Sequence, residues 1–187
     1  MFKNLILSAL FLFIYSCADT VKDTNSVAYK QEKIFFKSKN IYGFENLFDG
    51  NLESQKDQDA FGILHFPDNY DVEKKYPLVI ASHGSLNWRA HHRRYLEQMR
   101  QANYLVFAIH PFDSRNVSST VGDQINVTSE TVIYDMAQAL NLMSKDSRVN
   151  TKKIFAAGWS LGGTASLFNA WTPLQNEIHD EGSNYAG

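Results

Sequence analysis

The stretch that most constrains this chain lies near its carboxyl end, where an apolar run leads into a Gly-x-Ser-x-Gly sequence. Residues 152–157 favour a short buried strand, and residues 164–171 are compatible with a helix. When a strand turns sharply into a helix, neighbouring backbone comes too close for side chains, which explains Gly158 and Gly162. The pattern predicts that Ser160 stands at the tip of the turn with its hydroxyl exposed.

The chemistry that fits such a turn is nucleophilic catalysis. A serine hydroxyl in this position can attack a carbonyl carbon, and the backbone N–H of Leu161, at the helix start, faces the resulting oxyanion. The alternative is a glycine-rich turn between a strand and a helix that packs without chemistry. Because the bare pattern is short enough to arise by chance, the rest of the chain has to decide between them.

The first 17 residues are predicted to be a lipoprotein-type signal peptide. The apolar run over residues 5–15 follows a lysine and is too short to span a bilayer. Residues 14–17 resemble a bacterial lipobox, which implies that Cys17 is lipidated. Because Ala18 follows, we expect a lipid-anchored protein of the bacterial cell envelope, in the outer membrane of a Gram-negative host. The alternative is an ordinary secretory signal and a secreted protein.

Composition predicts a single domain behind this segment. Residues 18–33 are polar and turn-prone, as in a tether, and the domain is expected to occupy residues 34–187. The chain is 44% hydrophobic with a net charge of −2, and it therefore offers no large basic surface for a nucleic acid. Cys17 is the only cysteine, which excludes a disulfide framework and a thiolate metal cluster.

Hydrophobic patterns predict that strands and helices alternate along the domain. Strands are predicted at residues 34–36, 61–66, 78–81 and 105–109, ahead of the strand that leads to the serine. Helices are predicted at residues 87–103 and from Thr128 or Ser129 onward, where a hydroxyl can cap the first turn. This order implies right-handed crossovers and an α/β fold with a doubly wound, mostly parallel sheet.

The first predicted helix is amphipathic. Its apolar stripe is predicted to contain Trp88, His92, Tyr95, Met99 and Ala102. Its other face is predicted to carry Arg89, Arg93, Arg94 and Arg100. We interpret the arginine face as solvated, with contact to an anionic lipid or substrate as the alternative. The neighbouring His91 and His92 point to different sides of a helix, so no metal site is expected there.

A second short motif follows the strand predicted at residues 78–81. That strand runs into Ser82-His83-Gly84-Ser85, and a strand followed by His-Gly at this distance before a nucleophilic serine supplies the second oxyanion donor in known hydrolases. We assign this donor to the backbone N–H of Ser85. His83 has two interpretations, a catalytic role and a structural one. We favour a hydrogen bond that braces the loop.

These motifs together resemble the dienelactone-hydrolase-like branch of the α/β-hydrolases, over most of the chain after residue 40. The segments that carry the resemblance are residues 44–47, 83–85, 112–115, 119–124, 148–149 and 158–163. The resemblance implies an α/β-hydrolase fold and a Ser–Asp–His triad that needs no cofactor and no metal. Many dienelactone hydrolases proper use cysteine as nucleophile, whereas this chain has Ser160. A generic carboxylic-ester hydrolase, acting on a small-molecule ester, is therefore expected.

Two other functions stay open at this point. A serine peptidase of the prolyl-oligopeptidase type often also has Gly-Trp-Ser at the turn, but it carries a propeller domain that is not recognisable in this sequence. The second alternative is a non-catalytic, surface-anchored module that has kept the fold and lost the catalytic activity. Labelling with a fluorophosphonate separates this module from both enzymes.

The partners of Ser160 in a triad are not apparent in the sequence. In α/β-hydrolases an acid and then a histidine follow the serine, each on a loop after a later strand. The acidic and histidine side chains that follow here are Glu177, His179, Asp180 and Glu181. They lie beyond a helix that Pro173 is expected to end. We therefore expect a C-terminally truncated hydrolase that lacks its triad Asp and His, is inactive alone, and enters its next strand at residues 185–187.

Overall fold

The computed structural model describes residues 29–48 and 51–186. The predicted signal peptide, Cys17 and most of the predicted tether lie outside the described residues. Residues 31–33, which the sequence places in the predicted tether, instead belong to a strand, because Gln31, Glu32 and Lys33 pair with the end of the neighbouring strand in an antiparallel ladder. A polar composition does not exclude an edge strand, which needs only backbone hydrogen bonds and one apolar face.

Five strands and four helices make up the described part of the chain. The strands are β1 Gln31–Asn40, β2 Lys56–His65, β3 Tyr76–Ser82, β4 Leu105–Ile109 and β5 Val149–Gly158. The helices are α1 Ala90–Gln101, α2 Ser129–Met143, α3 Leu161–Asn169 and α4 Thr172–Ile178. Short 3₁₀ turns occur at Phe44–Leu47, Asn51–Ser54 and Asp113–Arg115. None of the described helices has both the length and the apolar character to cross a membrane.

The strands form one mixed sheet in the order β1-β2-β4-β3-β5. The strands β4, β3 and β5 run parallel to one another, whereas β1 and β2 add antiparallel pairings on one side. The strand β5 occupies the other edge of the described sheet, where the N–H of Ala186 donates to the carbonyl of Ile154 at 2.7 Å. The α/β fold class predicted from the sequence is confirmed.

Helices cover both faces of this sheet, as a doubly wound fold requires. The helix α1 packs on one face through Leu96, over a small cluster that includes Val79 and Val106. The helices α2 and α3 pack on the other face, in the larger cluster. In α2, the Thr128 hydroxyl caps the helix by accepting from the N–H of Thr131, as the sequence predicts.

The face of α1 that packs on the sheet differs from the predicted one. The buried residues are His92, Leu96 and Arg100, whereas Tyr95 is 49% exposed. Arg100, which is predicted on the solvated face, is instead buried, and its side chain forms ion pairs with Glu97 and Asp68. The hydrogen bonds to these carboxylates, that to Glu97 above all, raise the pKa of Arg100 above its ordinary value. A hydrophobic pattern treats every arginine as a surface residue, so it does not predict an arginine that is buried together with carboxylate partners.

The segment after α3 also corrects the sequence analysis. Pro173 does not end a helix but lies in the first turn of the short helix α4, where a missing N–H removes no helical hydrogen bond. The helix α3 ends at Asn169, whose side-chain amide donates to the carbonyl of Ile133. The chain then turns back, and Asn141 of α2 donates to the carbonyl of Ile178. The residues after Ser160 are thereby held against α2.

Candidate active site

Ser160 occupies the tip of the turn between β5 and α3. Its backbone has φ 52 and ψ −114, a conformation that residues other than glycine rarely adopt, and the residue is exposed. The turn is held by the N–H of Trp159, which donates to the Ser82 carbonyl, and by Thr164, which donates to the carbonyl of Ser160. A nucleophile is expected to have this geometry, in which one exposed serine is strained and a strand and a helix flank it.

The two glycines of the motif are required by close backbone contacts. A Cβ on Gly158 would lie 2.0 Å from the carbonyl oxygen of Gly162. A Cβ on Gly162 would lie 2.3 Å from the carbonyl oxygen of Ser82. Both distances are far inside van der Waals contact, so the elbow can form only with glycine at these positions.

The two proposed oxyanion donors lie on segments that meet at the serine. Leu161 is the first residue of α3, and such a residue has no acceptor for its N–H within the helix. The loop that carries Ser85 packs on the elbow, because a Cβ on Gly84 would lie 3.2 Å from the Cβ of Ser160. The Ser85 carbonyl accepts from the N–H of Thr120, which holds the loop from the opposite side.

His83 is placed as a brace for this loop. It is 1% exposed, and its Nδ1–H donates to the carbonyl of Gly84 at 2.8 Å. Burial lowers the pKa of His83 to about 4, although the hydrogen bond to Gly84 acts in the opposite direction. Its ring packs against Phe112 and Trp88. A neutral imidazole engaged in this way supports the structural interpretation over the catalytic one.

A pocket of about 340 Å³ opens beside Ser160. Its walls include Leu86, Val121 and Trp159, which present mainly apolar surface, together with Arg89 and His91 at its rim. Leu86 is 50% exposed and Val121 is 66% exposed. These apolar residues could not be predicted from the sequence, because a single exposed leucine or valine in a loop carries no periodic signal. The pocket accommodates a small apolar group next to the serine hydroxyl.

Among the described residues, no histidine or carboxylate forms a hydrogen bond with the Ser160 hydroxyl. Two of the four acid and base candidates near the end of the chain, His179 and Asp180, have other partners. His179 Nε2 lies 3.0 Å from the Asn169 side-chain oxygen, and burial lowers the pKa of His179 to about 4. Asp180 pairs with Lys145. The described residues therefore place an exposed serine beside Leu161 and the loop of Ser85, without a histidine or carboxylate hydrogen-bonded to its hydroxyl.

Comparison with known proteins gives the fold. A scan against protein-family models found no match, and a search of curated proteins found none. One solved structure has a TM-score of 0.52 at 18% identity, covering 75% of this chain and 53% of its own. An acylaminoacyl peptidase in complex with Z-Gly-Gly-Phe-chloromethyl ketone has a TM-score of 0.50 at 14% identity, covering 76% of this chain and 21% of its own. The chain has an α/β-hydrolase fold.

A further structural neighbour is a thermophilic esterase from the Planctomycetes species Thermogutta terrifontis. It has a TM-score of 0.49 at 17% identity, covering 60% of this chain and 39% of the esterase chain. The present chain thus spans about half the length of the first of these structures and less of the other two. At these identities the likeness concerns the fold, and the activity has to be argued from the site.

Proposed function

We propose that this protein is a serine-dependent carboxylic-ester hydrolase of the dienelactone-hydrolase-like type. The observation that carries the proposal is the position of Ser160 at the tip of the turn. The residue is exposed, has a backbone φ of 52, directly precedes Leu161, and lies against the loop that carries Ser85. The glycine contacts at the elbow support it as well, because a turn that served packing alone would not need a strained serine at its tip.

The reaction that this geometry favours is acyl transfer to water. The Ser160 oxygen attacks the ester carbonyl, its proton leaves to a base, and a tetrahedral intermediate forms. The negative oxygen accepts hydrogen bonds from the N–H groups of Leu161 and Ser85, and the alkoxide is expelled with a proton. Water then attacks the acyl-serine and releases the acid. The apolar walls at Leu86 and Val121 suit a small apolar group on the substrate.

The activity of the 187-residue chain is the first prediction. Because no base contacts Ser160 among the described residues, we expect hydrolysis of p-nitrophenyl acetate by this chain to be no faster than by Ser160→Ala. Imidazole added to the solution supplies a base, and it should then produce turnover that Ser160→Ala lacks. Ser166→Ala, a neighbouring serine on α3, is the control and should behave like the parent protein.

The same assay separates the proposal from its alternatives. Equal rates in the parent and in Ser160→Ala, at every imidazole concentration, would contradict the proposal and favour a non-catalytic module. Cleavage of an amino-acyl p-nitroanilide as fast as the matching ester would favour a serine peptidase, since amides are the harder bonds to break. An ester preference of at least about 100-fold is expected, corresponding to about 2.7 kcal/mol in the barrier.

We also propose that the protein is attached to the bacterial envelope through a lipidated Cys17. The support is the predicted signal peptide, whose apolar run ends in residues 14–17. Because one acyl chain binds membranes weakly, at least two chains are expected on the mature amino terminus. The intact mass of protein extracted from membranes tests the proposal, and an unmodified Cys17 or cleavage at another residue would contradict it.

A further inference from the structure

A second cavity, of about 260 Å³, lies over β2 and β4 on the face of the sheet that α1 covers. The apolar part of its lining, which we call its floor, consists of Ile63, Leu96 and Ala108, and the polar residues Tyr29, Gln31 and His65 also line it. The indole of Trp88 forms one wall, and its ring centre lies 6.0 Å from that of Trp159. The described residues that line this cavity are all different from those that line the pocket at Ser160. The cavity is therefore separate from the proposed active site.

The polar side of this cavity is fixed by a hydrogen-bonded dyad. His110 lines the cavity, and its Nδ1 lies 2.6 Å from the Asp113 carboxylate. The same carboxylate accepts from the side-chain amide of Asn87 at 2.8 Å. The ring of His110 is also stacked on Phe61 at a centroid distance of 5.0 Å. With Nδ1 engaged, the Nε2 atom of His110 is the ring position left for a ligand.

Two cationic side chains lie near the entrance of the cavity, which is marked by the exposed Arg93. Arg93 lines the cavity, and Lys33 lies over the ring of Phe61 at 3.7 Å, next to His110. Burial lowers the pKa of His110; the hydrogen bond and charge of Asp113 oppose this shift, and the charges of Lys33 and Arg93 add to it. The described lining residues include no carboxylate, and Asp113 behind His110 is already bonded twice. An anionic group at the entrance would therefore be stabilised.

The dimensions of the cavity suit a small organic acid. A cavity of roughly 150 Å³ is enough to hold a benzene molecule in a protein interior. The present cavity is larger, at about 260 Å³, and adds a cationic side to an apolar floor. We propose that it binds small monocarboxylates with an aromatic or short branched body, whose carboxylate faces Arg93 and whose body packs on Ile63 and Trp88. This site does not depend on the chemistry proposed for Ser160.

A titration with benzoate tests the proposal on the 187-residue protein. With isotope-labelled methyl groups observed by NMR, we expect saturable shifts at Ile63, Leu96 and Ala108, with a dissociation constant below about 1 mM. Shifts confined to Leu86 and Val121 would place benzoate in the pocket at Ser160 and overturn the proposal. The absence of saturable shifts at these methyl groups would also overturn it.

Two comparisons test the chemistry of recognition. Arg93→Gln should weaken benzoate binding at least about tenfold, whereas Arg94→Gln, an exposed neighbour that lines neither cavity, should leave it unchanged. Benzyl alcohol, which has the ring without the charge, should bind the parent protein at least about tenfold more weakly than benzoate. Equal affinity of the two compounds, or equal effects of the two substitutions, would show that carboxylate recognition is not the function of this cavity.

Discussion

Gly162 and Gly163 are neighbours in the elbow, but their surroundings differ. A Cβ on Gly162 would lie 2.3 Å from the Ser82 carbonyl oxygen, whereas a Cβ on Gly163 would lie 3.4 Å from its nearest neighbour. Gly162→Ala should therefore lower the free energy of unfolding by at least about 3 kcal/mol. Gly163→Ala, inside α3, should keep or slightly raise it because alanine favours the helix. Urea unfolding of the two variants is the measurement, and equal destabilisation would contradict the elbow geometry.

The buried imidazole of His83 predicts a pH dependence of stability. Burial lowers its pKa in the folded protein to about 4, whereas an unfolded histidine titrates near 6.5. As the pH falls below about 6.5, the unfolded chain binds a proton that the folded protein does not, so stability decreases toward pH 4. The titratable groups that act on this ring are His92, His110 and Asp113. At pH 5 the contribution of His83 to this loss is expected to be about 2 kcal/mol relative to pH 7.5.

The variant His83→Asn isolates this contribution, because its side chain is neutral at every pH used. Between pH 7.5 and pH 5, its free energy of unfolding should fall by about 2 kcal/mol less than that of the parent protein. His91→Asn, on the exposed side of α1, is the matched control and should keep the parent pH dependence. An unchanged pH dependence in His83→Asn would show that His83 does not make this contribution.

At the scale of elements, one buried ion pair joins three parts of the fold. Both guanidinium Nη atoms of Arg115 donate to the carboxylate of Asp135, at 2.7 and 2.9 Å, and these side chains are 4% and 1% exposed. The Arg115 Nε donates to Asn40 of β1, and the Ser38 hydroxyl donates to Asp135. The network thus connects β1, the 3₁₀ turn after β4, and α2.

Removal of one partner from this network should be strongly destabilising. Arg115→Met leaves Asp135 buried and without its cation, for which a loss of about 3–5 kcal/mol in unfolding free energy is typical. The surface pair Lys37–Asp59, with side chains 88% and 68% exposed, provides the contrast, and Lys37→Met should leave the urea midpoint unchanged. Equal midpoints for the two variants would contradict a structural role for the Arg115 network.

The elements themselves were largely predictable, whereas their charged contacts were not. The run Leu105–Ile109 is apolar at every position, and it forms β4 within the predicted bounds because a buried parallel strand needs no polar face. The burial of Arg100 and Arg115 was not predicted, because Asp68 and Asp135, which pair with them, lie on other parts of the fold. A local sequence pattern indicates helix or strand propensity and amphipathicity. It carries no information about which distant carboxylate will face a given cation.

At the scale of the whole molecule, the parallel strands determine where the site forms. The carboxyl ends of β3 and β5 lie side by side, since Ser82 pairs with Gly158, and this places the loop of Ser85 beside Ser160. The positions of Ser160 and of the two candidate donors, Leu161 and Ser85, could be predicted from the sequence, because each follows a strand end. The pocket walls at Leu86 and Val121 could not, because they come from loops whose path depends on the rest of the fold.

The central claim is that Ser160 is the nucleophile, and it is tested most directly by locating a fluorophosphonate label with mass spectrometry. Trypsin cleaves after Lys153, so residues 154–187 form one peptide that contains Ser160, Ser166 and Ser183. The account predicts that the phosphonyl group is found on Ser160, that imidazole accelerates its attachment, and that Ser160→Ala abolishes it while the protein stays folded. A label on another residue, or labelling that persists in Ser160→Ala, would contradict the account.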